Sequence, residues 1–430
     1  MTTGLPAAAP WPCFGEEEVA AAERVLRSGR VNYWTGNEGR LFEAEFAAAA
    51  GCHFGVALAN GTLALELALR ALEIGPGHEV ITTARTFIAS ASCAATVGAR
   101  PVLVDVDRAS QNLTAATIAP AITARTRAVI AVHLNGWPCD MDPILELARR
   151  HDLAVIEDCA QAHGAAYKGR PVGSMGVMGA FSFCQDKIMT TGGEGGMITT
   201  NDARLHEAVW SLKDHGKSFA MAHSGGDPAS SGDNKPGGRE RIYERFGTNG
   251  RMTEMQAAIG RVQLRRVPEW VAQRRRNAAA LARGLAGVPG LRLPEPPGNI
   301  THACYRFSAF IEPAMLRGGW SRDRIVAQIV AAGVPCFAWS NSEIGQEHAF
   351  STLSPEHARE EWDAGLAAGA KERAREMTER ETADPLKAET PVARELSETS
   401  LIFLVHPTLN ETHMNAACEA IKRVMAEACS

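Results

Sequence analysis

The stretch FSFCQDKIMTTGGEGGMITTND, residues 181–202, holds one lysine, Lys187, between an apolar run and a glycine-rich run. Upstream, LAVIEDCAQAHG (153–164) is an apolar run that ends in Glu157 and Asp158. Such a run is typical of a buried strand in a parallel sheet, and functional side chains collect at the carboxyl ends of such strands. Together the two stretches predict a cleft that contains both an amine and a carboxylate.

One cofactor requires this pair of groups. Pyridoxal 5′-phosphate needs an amine to form a Schiff base and a carboxylate to keep its ring nitrogen protonated. Lys187 is the candidate amine and Asp158 the candidate carboxylate. Glu157 points to the opposite face of the strand, so we expect it to be structural. The alternatives are a solvated surface lysine and an aspartate that caps the next helix.

Strand-like and helix-like segments alternate from residue 54 to residue 202. Strands are predicted at 54–60, 79–84, 100–107, 127–134 and 153–160, and helices at about 61–72, 87–97 and 141–151. This alternation predicts a mainly parallel sheet with helices on both faces. Asp158, His133 and the Asn60-Gly61-Thr62 turn then fall at the carboxyl ends of strands, where such sheets bind ligands.

The rest of the chain predicts a second domain. Residues 217–241 are rich in Gly, Ser and Pro, which predicts a lid-like loop. Residues 252–285 predict a long helix that bridges a large domain, 1–275, and a smaller α/β domain, 276–430. Within the smaller domain, residues 354–382 are dense in charge and predict a solvated helical insertion.

Composition excludes several classes of protein. The net charge of −5 argues against a nucleic-acid surface. The chain contains no run of 18 apolar residues, so the sequence predicts no membrane span. The N-terminus lacks the pattern of a signal peptide. The ten cysteines are scattered without a CxxC pair, which favours reduced thiols in the cytoplasm over disulfides or a zinc site.

Seven segments resemble, in order and spacing, motifs of one known family. They are LRSGRVNYWTG (26–36), ANGTLALELALRALEIGPGHEVITT (59–83), TFIASASCAATVGARPVLVDVD (86–107), VHLNGWPCDMDPI (132–144), VIEDCAQAHGA (155–165), the lysine stretch (181–202) and GTNGRMTEMQAAIG (247–260). The chain resembles the DegT/DnrJ/EryC1/StrS family of sugar aminotransferases, which are fold-type I pyridoxal-phosphate enzymes. The resemblance implies a large domain with a mainly parallel seven-stranded sheet flanked by helices, plus a smaller C-terminal α/β domain.

The resemblance also assigns roles to individual residues. It implies that Lys187 forms the Schiff base, that Asp158 pairs with the pyridine nitrogen and that Gln161 touches the phenolic oxygen. The residues that it implies for the phosphate are Gly61, Thr62, Ser182 and, from the neighbouring subunit, Asn249. Independently, Gly61 and Thr62 open a helix directly after a strand, and the N–H groups at such a start attract anions. Phe87 resembles the aromatic that stacks on the cofactor ring, although an aromatic here is often simply core.

Weaker candidates line the predicted substrate pocket. They are Trp34, Thr35, His133, Arg251 and His406, for which the alternative is ordinary packing. Gly250 stands where the family commonly has an aromatic residue, which predicts a larger pocket or a lost stacking surface. CFAWSNSEIGQEHAF (336–350) replaces a segment that is common in the family. Contacts to a nucleotide-sugar phosphate therefore do not carry over.

The function implied by the resemblance is transamination. Glutamate or glutamine would give its amino group to the cofactor, leaving pyridoxamine 5′-phosphate, which would pass the group to a keto-sugar or keto-cyclitol. Such enzymes act in amino-sugar, polysaccharide or antibiotic biosynthesis, as homodimers whose active sites are shared between subunits. Two alternatives stay open: a dehydratase or lyase that uses the same cofactor, and a regulatory homologue without catalysis.

Overall fold

A seven-stranded sheet forms the centre of the larger domain. The computed structural model describes residues 10–223, 242–338, 343–351 and 389–429. Across the sheet the strands are β1 (Phe54–Leu58), β9 (Gly196–Thr200), β8 (Met178–Ser182), β5 (Ala154–Asp158), β4 (Thr126–Val132), β2 (Glu79–Thr83) and β3 (Arg100–Val104). β9 is antiparallel to its neighbours β1 and β8, and the other neighbouring pairs are parallel. The predicted fold class is confirmed.

The helices and the shorter strands complete the architecture. The helices are α1 (Glu16–Ser28), α2 (Glu38–Ala49), α3 (Gly61–Ala71), α4 (Ala89–Thr96), α5 (Ala115–Ile118), α6 (Met141–Arg150), α7 (Ala203–Lys213), α8 (Phe219–His223), α9 (Glu254–Leu285), α10 (Arg322–Ala331), α11 (His348–Ser351), α12 (Pro391–Thr399) and α13 (Glu411–Ala428). The remaining strands are β6 (Ala166–Tyr167), β7 (Arg170–Pro171), β10 (Leu291–Arg292), β11 (Ile300–Thr301), β12 (Phe307–Ile311), β13 (Cys336–Phe337) and β14 (Ser400–Phe403).

Both faces of the large sheet are buried. Along β4, Ile130 enters an apolar core that it shares with Leu65 of α3. Its neighbour Val129 enters a different core, shared with Ile144 of α6. Because successive side chains of a strand point to opposite faces, α3 and α6 lie on opposite sides of the sheet. The near-continuous apolar runs of the central strands follow from this double burial.

Polar caps fix where the two most important helices begin. Asn60 precedes α3, and its side chain accepts a hydrogen bond from the Leu63 N–H at 2.8 Å. Thr253 precedes α9 and exchanges hydrogen bonds with Gln256 in a capping box. Since only two residues separate the end of β1 from the start of α3, the N-terminus of α3 lies at the carboxyl edge of the sheet.

The smaller domain is built on a four-stranded antiparallel sheet in the order β10-β12-β14-β13. Helices α10 and α13 and the last part of α9 pack against it. Val271 belongs to a core of the larger domain, whereas Ala278 belongs to the core of the smaller one. We propose that the domains divide within α9 at about residue 275, as predicted from the sequence.

Several sequence predictions concern residues at the edge of the described ranges. Most of the predicted lid-like loop, 217–241, and the whole predicted insertion, 354–382, lie outside the described residues. At the start of that loop, Phe219 begins the short helix α8. Among the described residues, no helix has the length and apolar character needed to cross a membrane. All ten cysteines fall in the described ranges, and each is a free thiol.

Candidate active site

A cavity of about 1470 Å³ lies at the carboxyl edge of the large sheet. One wall comes from the segments that follow β1, β2, β5 and β8. The opposite wall comes from the smaller domain, including Val334, Phe403 and His406. Seven of the eight predicted catalytic or cofactor-binding residues lie at the ends of these strands or in the segments after them, because the ends of neighbouring parallel strands meet at one edge.

Asp158 ends β5 and is 6% exposed. Its Oδ2 accepts a hydrogen bond from the Ser90 hydroxyl at 2.8 Å, and its Oδ1 accepts one from the Ala160 N–H at 3.1 Å. Burial raises the pKa of this carboxyl above its ordinary value, although these hydrogen bonds and the charge of Lys187 oppose the rise. A positively charged partner in the cavity would further favour the carboxylate.

Lys187 lines the same cavity, and its side chain is 16% exposed. Its Nζ lies 3.5 Å from Asp186 Oδ1 and 5.2 Å from the centre of the Tyr305 ring. Burial alone would lower the pKa of this amine, but Tyr305, Asp186 and Cys184 raise it above its ordinary value. The backbone carbonyl of Lys187 accepts a hydrogen bond from the Trp11 indole at 3.0 Å, which fixes the lysine turn.

The predicted phosphate-binding residues meet beside Lys187. Gly61 and Thr62 begin α3 and line the cavity together with Ser182, the last residue of β8. A Cβ on Gly61 would stand 2.6 Å from the Ser182 Cβ, so only glycine lets the helix start so close to this serine. The arrangement brings free N–H groups and a hydroxyl to one spot, which suits an anion.

Gln161, Phe87 and Asn249 also line the cavity. The Gln161 Oε1 accepts a hydrogen bond from the Asn135 N–H at 2.8 Å, so this side chain is held by the turn after β4. Phe87 is 66% exposed, so its ring is not part of the apolar core. Asn249 is exposed and lines the cavity of its own chain.

His133 does not line the cavity, contrary to the sequence prediction. It is fully buried, and its Nε2 lies 2.9 Å from Glu157 Oε2 while its Nδ1 accepts a hydrogen bond from the Cys139 N–H. Glu157 also accepts hydrogen bonds from the N–H groups of Gly173, Met175 and Gly176. A buried carboxylate needs such partners, and this need explains the position of His133. Glu157 has the structural environment predicted for it.

The other weak candidates divide between the cavity and its surroundings. His406 lines the cavity and stacks on Trp11, with ring centres 6.1 Å apart. Trp34, Thr35 and Arg251 lie outside the cavity of their own chain. Three contacts occupy them: Trp34 packs edge-on against Trp210, Thr35 donates to the Asn32 carbonyl, and Arg251 pairs with Asp214 at 2.9 Å.

Gly250 does not enlarge the cavity. It is buried, and a Cβ at this position would stand 2.7 Å from a methyl group of Leu63. Since Leu63 lines the cavity, a large residue at position 250 would push α3 toward it. Local packing of α3 thus explains the absence of the aromatic residue that the family commonly has here.

The model of the DegT/DnrJ/EryC1/StrS aminotransferase family matches residues 12–362. The chain belongs to this family. A UDP-N-acetyl-3-dehydro-α-D-glucosamine 3-aminotransferase of Acidithiobacillus ferrooxidans is 42% identical over 304 residues, which are 71% of this chain and 74% of the relative. A GDP-perosamine synthase of Caulobacter vibrioides is 42% identical over 306 residues, 70% of this chain and 76% of the relative. The X-ray structure of an aminotransferase from Psychrobacter cryohalolentis is 47% identical and covers 98% of this chain and 100% of its own, with a TM-score of 0.86.

This aminotransferase has further cavity residues that sequence reasoning missed. They are Trp11, Ser90, Asp186, Arg274, Tyr305, Arg306 and His413. Arg274 is 1% exposed, lies 4.8 Å from the Trp11 ring and donates to the Tyr305 carbonyl at 3.1 Å. Its Nε and Nη2 have no partner among the described residues. Arg274 is the first of three consecutive arginines in the predicted long helix, and nothing in the sequence distinguishes it from the other two.

Proposed function

We propose that this aminotransferase binds pyridoxal 5′-phosphate and moves an amino group from glutamate or glutamine to the ketone of a nucleotide-linked sugar. The observation that carries the proposal is that Lys187, Asp158 and the start of α3 line one cavity. An amine, a buried carboxylate and an anion-binding helix start are the three features that this cofactor requires.

The residues present fit the cofactor. Burial raises the pKa of Asp158, and a cationic partner would favour its carboxylate form. We assign this carboxylate to the protonated ring nitrogen. Gly61, Thr62 and Ser182 would hold the phosphate, and the missing Cβ at Gly61 keeps that place open. Gln161 and Phe87 would contact the ring. When bound, pyridoxal phosphate carries the amino group and accepts the electrons that the donor Cα releases.

Lys187 moves the proton in this proposal. Its Nζ would accept the proton that leaves the Cα of the amino donor and would hold it for transfer to the cofactor carbon on the other side of the amine nitrogen. The Ser90 hydroxyl and the Ala160 N–H orient the Asp158 carboxylate and oppose the rise in its pKa, and a cationic partner in the cavity would favour its charged form. The apolar walls from Val334 and Phe403 limit access of water.

Arg274 supplies a positive charge for the carboxylate of the amino donor in this proposal. Burial lowers the pKa of this guanidinium to about 10, so it remains a cation at neutral pH. Two of its nitrogen atoms lack a partner among the described residues, and buried donors of this kind are rarely left unpaired. Arg306 adds a second charge on the same side of the cavity. We assign the carboxylate of glutamate or glutamine to this region.

The acceptor is assigned to nucleotide-linked keto-sugars because both 42%-identical relatives carry names of enzymes that act on such sugars. A keto-cyclitol is the second candidate. The cavity, at about 1470 Å³, is large enough for an acceptor that carries a nucleotide. We assign no residue to the phosphates of the nucleotide-linked acceptor, because segment 336–350 differs from the family pattern and its residues 339–342 lie outside the described ranges.

We also propose a homodimer with shared active sites. Phe246 is 97% exposed, Tyr243 is 59% exposed and Phe87, at the cavity, is 66% exposed. Large aromatic side chains of this kind, exposed near a binding site, mark protein interfaces. Asn249 lines the cavity of its own chain but is exposed, three residues after Phe246, and in such a dimer we assign it to the phosphate of the partner's active site.

Absorption spectroscopy tests the role of Lys187. We expect the purified protein with pyridoxal phosphate to absorb in the visible and to lose that band when glutamate is added. In Lys187→Ala the band should be absent and transamination should fall by at least about a thousandfold, with folding retained. Lys168→Ala, at an exposed lysine that pairs with Asp142, is the matched control. An unchanged spectrum in Lys187→Ala would refute the assignment.

A panel of ketones identifies the acceptor. The pyridoxamine-loaded enzyme is mixed with nucleotide-linked keto-sugars and with inososes, and amine transfer is followed by mass spectrometry. A keto-sugar should accept the amine. Loss of a hydroxyl without gain of an amine would instead indicate a dehydratase, and the absence of any turnover a regulatory protein.

A further inference from the structure

Asp186 stands between Lys187 and two residues of the smaller domain. Its Oδ2 accepts hydrogen bonds from the Tyr305 hydroxyl at 2.5 Å and from Arg306 Nη2 at 3.1 Å. Arg306 also donates to the Tyr305 hydroxyl, at 3.2 Å. The other oxygen, Oδ1, lies 3.5 Å from Lys187 Nζ. One carboxylate oxygen is thus fixed by two donors while the second faces the amine.

We propose that Asp186 is a positioning residue that orients the Lys187 amine and stabilises it as an ammonium whenever it is not bonded to the cofactor. The inference rests on the proposed function for its purpose. Its physical basis is the contact between Asp186 Oδ1 and Lys187 Nζ, which the structure shows independently of any reaction.

The charge state of Asp186 supports this role. Burial would raise the pKa of the Asp186 carboxyl, but Lys187, the Tyr305 hydrogen bond and Arg306 bring it below the ordinary value. Asp186 is therefore an anion at neutral pH. An opposite charge within about 4–6 Å stabilises an ammonium. Asp158 also raises the pKa of Lys187, but Asp186 does so more strongly.

The reaction needs such support at one step. When the amino donor has displaced Lys187 from the cofactor, the Cα–H bond of the donor breaks and an N–H bond forms at Lys187 Nζ. The electron pair of the broken bond passes to the cofactor, and Nζ becomes a positive ammonium. Asp186 stabilises that charge and keeps Nζ in reach of the carbon that receives the proton next.

A purely structural role is the competing explanation. Tyr305 and Arg306 directly precede β12, so Asp186 also connects the lysine turn to the smaller domain. A tether would depend on Tyr305 as much as on Asp186 and would leave the basicity of Lys187 unchanged. The carboxylate of Asp186 has the proposed role only if removing its charge changes the basicity of the Lys187 amine.

Competitive labelling of the cofactor-free full-length protein measures that response. Trace acetic anhydride is added over a range of pH, and acetylation of Lys187 is quantified by mass spectrometry of its peptide. Removing the carboxylate in Asp186→Asn destabilises the ammonium, so the amine should become reactive at lower pH. At neutral pH we expect about threefold faster labelling, a modest effect because the pair is partly exposed.

The other groups that act on this amine must be intact for the comparison. They are Asp158, His163, Cys184, Tyr305 and Arg306. Asp186→Glu keeps the charge and should keep a profile close to that of the unmodified chain. Asp323→Asn makes the same charge change at a carboxylate that is 80% exposed, and should not alter Lys187 labelling. Asp186→Ser provides a second test if the asparagine variant does not fold.

Tyr305→Phe removes one hydrogen bond to Asp186 but leaves the carboxylate beside Lys187. Because Tyr305 also acts on the pKa of Lys187, the effect of the carboxylate charge is tested by comparing Asp186→Asn with Asp186→Glu. Identical profiles for Asp186→Asn and the unmodified chain would overturn the proposal. So would equal shifts in Asp186→Asn and Asp186→Glu, because the charge would then not be the cause.

Single-turnover kinetics with glutamate test the catalytic consequence. In Asp186→Asn the rate should fall by about ten- to a hundredfold with little change in glutamate affinity, and the effect of α-deuteration should increase. An unchanged rate would contradict the catalytic purpose. If the unmodified chain does not react with glutamate at all, the proposed function fails, while the labelling result still decides whether Asp186 controls the amine.

Discussion

Glu157 and Asp158 are adjacent carboxylates with opposite environments. Both end β5, and alternation along the strand sends one into the protein interior and the other into the cavity. Glu157 is surrounded by four hydrogen-bond donors, one from His133 and three from the backbone. Asp158 has two donors and a wide cavity before it. The same functional group thus serves stability at one position and, as we propose, chemistry at the next.

Substitution of Glu157 should damage stability first. Glu157→Ala leaves His133 and three buried N–H groups without their acceptor, and loss of one partner of a buried pair costs about 3–5 kcal/mol. Chemical denaturation measures this cost as a loss in the free energy of unfolding. Glu146→Ala, at an exposed position of α6, should change that free energy by less than about 0.5 kcal/mol.

The pH dependence follows from the same contacts. Burial would raise the pKa of Glu157, but the hydrogen bonds from His133 and the backbone outweigh it and leave the pKa below its ordinary value. A lowered pKa in the folded state stabilises the protein above the unfolded pKa, and this contribution disappears as pH falls through the folded value. The stability difference between the unmodified chain and Glu157→Gln should therefore shrink on acidification. A difference that grows would contradict the role given to Glu157.

Single residues were predictable where a motif surrounded them. Lys187, Asp158, Gly61 and Ser182 stand in segments whose strand and helix limits are visible in the sequence, and the structure brings them to one cavity. Arg274 and Tyr305 were missed because their burial depends on contacts between distant segments, Trp11 among them. His133 was misplaced because its partner, Glu157, was treated only as a neighbour of Asp158.

At the scale of elements, the sequence predicted the large sheet well. The apolar runs 79–84, 100–107 and 153–160 contain β2, β3 and β5, with ends that differ by a few residues. The two-residue strands β6, β7, β10, β11 and β13 were not predicted. Strands so short carry no pattern of their own, and they exist only through pairing with partners far away in sequence.

The start of α3 offers a test at this scale. Gly61→Ala places a Cβ 2.6 Å from the Ser182 Cβ, so α3 and β8 must move apart. We expect the dissociation constant for pyridoxal phosphate to rise at least about tenfold, or ~1.4 kcal/mol, together with a lower thermal stability from the same contact.

Gly298→Ala is the matched control for this experiment. A Cβ at Gly298 would meet nothing within 4 Å, so cofactor affinity should stay unchanged. Equal cofactor affinity in Gly61→Ala and in the unmodified chain would exclude the start of α3 as the phosphate site.

For the whole molecule, the exposed aromatic residues make oligomeric state the decisive property. Phe246→Asp places a charge at the most exposed large apolar side chain among the residues that the structure describes. If this face forms the interface, the dimer dissociation constant should rise by at least about thirtyfold in sedimentation experiments, and cofactor retention should fall with it. Val330→Asp, at a half-exposed position of α10, should leave both properties unchanged. A Phe246→Asp protein that remains a dimer with bound cofactor would place the interface elsewhere.

The long helix α9 contributes to a core of each domain, with Val271 in a core of the larger domain and Ala278 in the core of the smaller one. Neither domain can therefore complete its apolar core without α9. Residue 275 divides the two packing regions, but truncating the chain there would leave both cores incomplete. Arg274 lies at that junction, beside Trp11 and the Tyr305 carbonyl. The guanidinium of Arg274 therefore lines the cavity at the place where α9 passes from the core of one domain to that of the other.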